Sequence, residues 1–267
     1  MILNEVLDII NQKYPEYIQY DWDNSGLNIG DENSEIKKIM LTLEITEKVI
    51  DEAIENKVDL IISHHPFLFS KINKINKKDI KGNLIYKLIS NSISVYCMHT
   101  SYDLAEDGLN DYLLKLLGIS SDYTLEEVSS NENYQNGETY GLGRVASLEK
   151  SMDVREFILE LKSKLNIDNV RYVGRLDKNI KTIAVVTGSG AEFFEKAKEL
   201  DIDLLITGDM KYHQAMDALE MDMSVVDCGH YGTEHIFADS IITFLEDNLE
   251  DIEITISKNI VDPFMDL

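Results

Sequence analysis

The sequence predicts an α/β fold: a mostly parallel or mixed sheet between helix layers, used twice through an internal duplication. Short apolar, β-branched runs occur at IMLTL (39–43), VDLIIS (58–63), ISVYCM (93–98), TIAVVT (182–187), IDLLIT (202–207) and MSVVDC (223–228). They alternate with helical spacing over 46–56, 105–117, 191–200 and 234–247, which is the rhythm of βαβ units. The runs are continuous rather than alternating, so both faces of each strand must be covered. Shifted by 144 residues, segment 39–63 aligns without gaps on 183–207 and pairs Asp59 with Asp203 and Ala53 with Ala197. A second match, 94–103 on 225–234 at a shift of 131, pairs Cys97 with Cys228, His99 with His230 and Asp103 with Glu234.

The shift shortens because the first half carries an extra connector, KINKINKKDIKG (71–82). The polar stretch SSNENYQNGE (129–138) has turn chemistry and marks the boundary, giving halves 1–128 and 129–267, with strand exchange between them allowed. The first residues have helical apolar spacing at Ile2, Val6, Ile9 and Ile10, and carry acids instead of a basic start, so they read as a helix rather than a signal peptide. A last strand is expected at IEITIS (252–257).

With 267 residues and 44% hydrophobic content, the chain can bury a sizeable core. No apolar run approaches the ~18 residues that a spanning helix needs, so no membrane role is expected. Two cysteines and no export signal suggest a reducing cytoplasm. The formal charge of −24 argues against nucleic-acid partners, since so acidic a surface repels phosphate backbones. The Lys-rich stretch 71–82 is the exception, and reads as a solvated loop and helix start more readily than as a phosphate-binding loop.

Four places combine metal-ligand residue types with the end of an expected strand: IISHHP, YCMHTSYD, ITGDMKYH and DCGHYGTEH. In α/β sheets ligands collect at the carboxyl ends of strands. His230 and Glu234 lie four apart and can face one point on a helical turn, although Thr233 and Glu234 could equally be a helix cap and a dipole partner. The adjacent His64 and His65 precede Pro66, where the backbone leaves the strand and the two imidazoles can splay toward neighbouring positions. With Asp103, the set becomes three histidines and two carboxylates, enough for two divalent metal ions. His99 is a candidate proton shuttle or substrate-facing group, with a satisfied buried histidine as the alternative. His213 and His235 read as bland, and Asp209 as a helix-start acid that could line the pocket. Cys97 and Cys228 read as buried small hydrophobes rather than nucleophiles. DWDNSGLNIGD (21–31), which holds Trp22, could be a loop over the pocket, but reads more readily as a structural turn that packs Trp22.

In combination and order, WDNSGLNIG, SHHPFLF, HTSYD, TGDMKYHQAMDALE and GHYGTE resemble the motifs of the GTP cyclohydrolase 1 type 2 homologue family, also called NIF-three-like or dinuclear metal-centre proteins. The resemblance spans about residues 20 to 240. It implies two α/β domains related by an approximate dyad, a toroidal homohexamer, and metal ligands at His64, His65, Asp103, His230 and Glu234. Glu44 stands where the family usually has Asp, HTSYD where it has HTNLD, and Tyr212 where it often has histidine, so Tyr102 and Tyr212 are expected to alter what the pocket accepts. The expected function is a metal-dependent hydrolase of a small molecule using two cations (zinc, manganese or iron). The alternative is a non-catalytic metal carrier or regulatory protein.

Overall fold

The computed structural model describes residues 1–128 and 140–265. Two compact units result, Met1–Ala105 with Phe237–Leu267, and Glu106–Ile236. These differ from the halves 1–128 and 129–267: the chain leaves the first unit after Ala105 and returns to it at Phe237. The polar stretch 129–138 falls outside the described residues. No described helix is long and apolar enough to cross a membrane.

The sheet of the first unit contains β1 (Gly26–Ile29), β2 (Lys38–Thr42), β3 (Leu60–Ser63), β4 (Ser94–Cys97) and, from the end of the chain, β11 (Glu253–Ile256). Their order is β1-β4-β3-β2-β11, parallel except for β1. One face, including Met40, Ile61, Val95 and Cys97, packs under α2 (Glu47–Glu55) and α3 (Ile80–Ser90). Alternate residues Ile39, Leu41, Leu60, Ile62 and Tyr96 are buried on the other face, as the two-residue period of a strand requires. There α1 (Leu3–Lys13), α4 (Thr100–Leu104) and α10 (Phe237–Asn248) meet. Tyr14, just past α1, sets its ring edge-on to Tyr102 of α4 at 4.9 Å and to Phe244 of α10 at 5.3 Å. Helix α2 starts where Thr46 accepts from the Val49 N–H and buries Val49, Ile50 and Ala53 along one stripe.

The second unit has β5 (Tyr123–Val128), β6 (Tyr140–Asp153), β7 (Arg171–Val173), β8 (Asn179–Val185), β9 (Leu204–Thr207) and β10 (Ser224–Asp227), in the order β5-β6-β8-β9-β10-β7. Strands β8, β9 and β10 are parallel and the others antiparallel. Its helices are α5 (Leu109–Leu116), α6 (Val154–Leu165), α7 (Phe194–Glu199), α8 (Tyr212–Glu220) and α9 (His230–Glu234). Ala184, Leu205 and Val225 face a cluster with Phe194 and Ala197 of α7 and Ala218 of α8. The helix expected over 105–117 begins only at Leu109, because Asp107 takes a left-handed φ of 57° and Gly108 precedes the helix as its cap.

The duplication is visible atom by atom. The Asp59 carboxylate accepts from the N–H groups of Lys37 and Lys38 at 2.8 and 2.9 Å, and 144 residues on Asp203 accepts from Lys181 and Thr182 at 2.7 and 2.9 Å. Each unit then places its third parallel strand beyond the second, with an antiparallel edge strand outside it: β2-β3-β4-β1 in one, β8-β9-β10-β7 in the other. The second sequence match needs correction by one residue. Leu60 pairs with Ser94 and Leu204 with Ser224, so the sheets equate β4 with β10 at a shift of 130. His99 therefore corresponds to Gly229, and the two His-x-x-x-carboxylate motifs sit one residue out of step. An Asp203→Ala variant should lose about 1–3 kcal/mol of stability in denaturant melts, because two β8 N–H groups just before the parallel pairing with β9 lose a charged acceptor; an unchanged midpoint would show that water replaces the carboxylate freely.

Candidate metal centre

Strand β3 ends at Ser63, and the chain turns at once. His64 and His65 still donate their N–H groups to Thr42 and Leu43, while the Ser63 hydroxyl donates to the His65 carbonyl at 2.8 Å and folds the turn. The two imidazoles consequently lie together, ring centroids 5.3 Å apart and tilted by 37°, rather than on opposite faces of a strand.

His64 is fully buried, and its Nδ1 lies 2.7 Å from the Met98 carbonyl. A carbonyl only accepts, so Nδ1 carries the proton and the neutral ring keeps its lone pair on Nε2. That nitrogen faces Asp103 Oδ1 at 3.7 Å, beyond hydrogen-bond reach and close to the separation of two ligands that each sit about 2 Å from one ion. Asp103 itself is buried near the end of α4. His65 is held in the same way, its Nδ1 2.9 Å from Glu44 Oε2. Burial alone would raise the Glu44 carboxyl, but the His65 hydrogen bond and charge, helped by Lys81, bring it below its ordinary value.

His99 has the most elaborate support. Its Nδ1 meets Asp23 Oδ1 at 2.8 Å, and Asp23 also accepts from Ser25 Oγ at 2.9 Å and from the Thr100 N–H at 3.0 Å. Burial pushes Asp23 up, yet the His99 and Thr100 bonds outweigh it and hold the carboxyl well below the usual carboxylate range.

In the second unit, His230 opens α9 with Nδ1 2.7 Å from Asp209 Oδ2 and Nε2 2.9 Å from Glu234 Oε2. Glu234 is buried, and a single missing carbon makes room for it. A Cβ on Gly188, which has a φ of +64°, would run into Glu234 Oε1 and stand 3.4 Å from His230 Nε2. Asp209, expected to be chiefly a helix-start acid, lies three residues before α8 with a left-handed φ of 57° and serves as the partner of His230.

Each of His64, His65, His99 and His230 thus has Nδ1 engaged by a carbonyl or a carboxylate, the arrangement that fixes the tautomer and aims Nε2 in metal-ligating histidines. Imidazole nitrogen with carboxylate oxygen suits zinc, manganese or iron, so the donor chemistry fits divalent cations. Motif reading did not find the supports Asp23 and Gly188. Asp23 lies far from His99 in sequence, and a glycine needed for clearance looks like any turn glycine.

Several other residues settle into quieter roles. His213 is exposed, and His235 bonds the Tyr231 carbonyl one turn back at 3.0 Å. Tyr102 is buried with its hydroxyl on Ser240, so it is a core residue and does not shape a pocket. Tyr212 is exposed at the start of α8. Within the Lys-rich stretch, Lys81 donates to the Phe67 carbonyl at 2.8 Å and lies 4.1 Å from the Phe67 ring centroid, an internal tether. Cys97 and Cys228 are buried, and burial pushes their thiols up to about 11 and about 12. Iodoacetamide should therefore modify Cys97 in the native protein roughly a hundredfold or more slowly than in urea, read by mass spectrometry, because the thiolate is the nucleophile; equal rates would mean that the strand end opens readily.

Residues 1–263 match the family model for Duf34/NIF3 (NGG1p interacting factor 3). A "GTP cyclohydrolase 1 type 2 homolog" from Clostridium perfringens is 39% identical over 265 residues, covering 99% of both chains. "NGG1-interacting factor 3" from Saccharomyces cerevisiae is 30% identical, covering 98% of this chain and 96% of its own. Among solved structures, Staphylococcus aureus protein SA1388 superposes with a TM-score of 0.90 at 29% identity over 100% of this chain and 99% of that one. Reduced HcgD from Methanocaldococcus jannaschii gives 0.80 at 31% identity, covering 96% and 97%. By motif order, fold and full-length similarity, this chain belongs to the Duf34/NIF3 family.

Proposed function

We propose that the chain is a metal-dependent hydrolase of a small molecule that holds two divalent cations through His64, His65, Asp103, His230 and Glu234. The observation that carries the reading is the shared tie at Nδ1 in His64, His65 and His230, which makes Nε2 of each the candidate ligand atom, that of His230 beside Glu234 Oε2. Such cations supply hydroxide near neutral pH by lowering the pKa of bound water toward ~7.

The chain's own groups do the rest. Asp23 fixes the His99 ring, so Nε2 is the atom at which a proton can be passed to or from a leaving group. Bound cations would also offset the net charge of −24 for an anionic substrate. The name of the Clostridium perfringens relative makes GTP the first substrate to try.

Elemental analysis of protein expressed in metal-supplemented medium should find about two cations per chain, and His64→Ala and Glu234→Ala should each lose metal and turnover together. Two bound metals with no turnover of any nucleotide, in wild type as in the variants, would support a carrier instead. Gly188→Ala should weaken metal binding by about tenfold or more without unfolding the chain, since the new Cβ displaces the Glu234 carboxylate. Competition with a chelator measures this, and a wild-type affinity would remove Gly188 from the site.

A further inference from the structure

Beside the histidines of the first unit lie two large aromatic side chains that the core does not use. Trp22 is 60% exposed and Phe69 57% exposed. The sequence favours Trp22 packed in a turn, but it stays largely exposed and stacks on Tyr20 at 5.6 Å with 13° between planes. Trp22 and Phe69 stand edge-to-face at 6.2 Å, and each is edge-on to the His99 ring, at 6.1 and 6.4 Å.

The loops that carry them are built to hold still. Asn24 Nδ2 donates to the Leu68 carbonyl at 2.7 Å, and the Leu68 N–H donates to Asn28 Oδ1 at 2.8 Å, so the Trp22 loop and the Phe69 loop are bonded to each other. Buried Asp23, adjacent to Trp22, is locked by His99 and Thr100. Leaving indole and phenyl faces in water forgoes the burial that normally places such rings inside, and holding them in fixed positions costs conformational entropy. Both costs make sense where a flat partner completes the stack.

We propose that Trp22 and Phe69, set nearly at right angles, form an L-shaped clamp in which a planar heteroaromatic ring stacks on the face of one and meets the other edge-on, with its polar edge turned toward His99. This deepens the reading of a small-molecule hydrolase and rests on it for the chemistry, but the clamp is testable by itself. Stacking suits any flat ring, whereas the imidazole wall favours one with a hydrogen-bonding edge.

Trp22 is the single tryptophan of the chain, so its fluorescence reports this clamp alone. Guanosine and adenosine, titrated into metal-loaded protein and excited at the red edge of indole absorption, should quench it saturably, and ribose should not. Phe69→Ala should weaken that binding about tenfold or more while leaving the metal content unchanged. Quenching that never saturates, or that Phe69→Ala leaves intact, overturns the clamp. So does a Trp22→Leu variant that changes the oligomeric state in light scattering while wild type binds no nucleoside, because the rings would then belong to a contact with a second copy. Metal content measured on the same samples separates failure of the clamp from failure of the metal site.

Discussion

A carboxylate that binds two consecutive backbone N–H groups just before a parallel pairing begins sets the frame of each unit. Asp59 does this for β2 and Asp203 for β8, each from the residue that precedes the strand next door. The bond pair fixes where one strand begins relative to its neighbour, and a strand's register decides which face every later side chain meets. From Lys38 to Ser63, and again from Thr182 to Thr207, the same strand, helix and strand follow at a constant spacing. The carboxyl ends of those strands are therefore placed by a contact made at their opposite ends.

What stands at the carboxyl ends is governed by a different requirement. An imidazole near the surface can present either nitrogen, and a donor set is only as definite as the tautomers within it. Four histidines here resolve that ambiguity locally: a backbone carbonyl serves His64, and Glu44, Asp23 and Asp209 serve His65, His99 and His230. Each support comes from a loop other than the one that carries its histidine, so the orientation of each ring is fixed by a pair of loops. Buried Asp23 carries the largest share of such bonds, which explains why its carboxyl remains ionised despite its burial.

The central strands, the repeated unit and the candidate ligands were legible in the sequence because each leaves a one-dimensional trace: apolar runs, a constant shift, and metal-ligand residues just past a strand. The periphery was not. The 14-residue strand β6 escapes notice because its glycines and the charged end LEKSMD break the apolar pattern, and it gains its place by pairing with β5 and β8. Helix α6 follows from the Asp153 cap, whose side chain accepts from Arg155 and Glu156, a signal present in sequence but overlooked beside stronger runs. The return of α10 and β11 to the first unit depends on a parallel pairing of Ile254 with Ile39, more than two hundred residues apart, which no local pattern encodes. The one-residue error in matching His99 to His230 has the same origin: similar residues aligned well, and only the hydrogen-bonded register between strands reveals the offset.

That offset, with the constant shift of 144 before it, shows how a duplicated frame came to hold two unlike side-chain clusters, one in each unit. Position 65 is a histidine oriented by the carboxylate at 44; its counterpart, position 209, is itself the carboxylate and orients a histidine from the next loop. The counterpart of Glu44 is Gly188, and the space left by the missing side chain is where Glu234 lies. The position that carries a histidine in one copy thus carries its support in the other, and there the histidine comes from a different loop. The exchange is coupled: a carboxylate at 188 would occupy the space of Glu234, and a histidine at 209 would leave the Nδ1 of His230 without its acceptor. Neither half could be converted to the other's pattern by one substitution, so the asymmetry of the histidine doublet follows from packing around Gly188 as much as from metal chemistry.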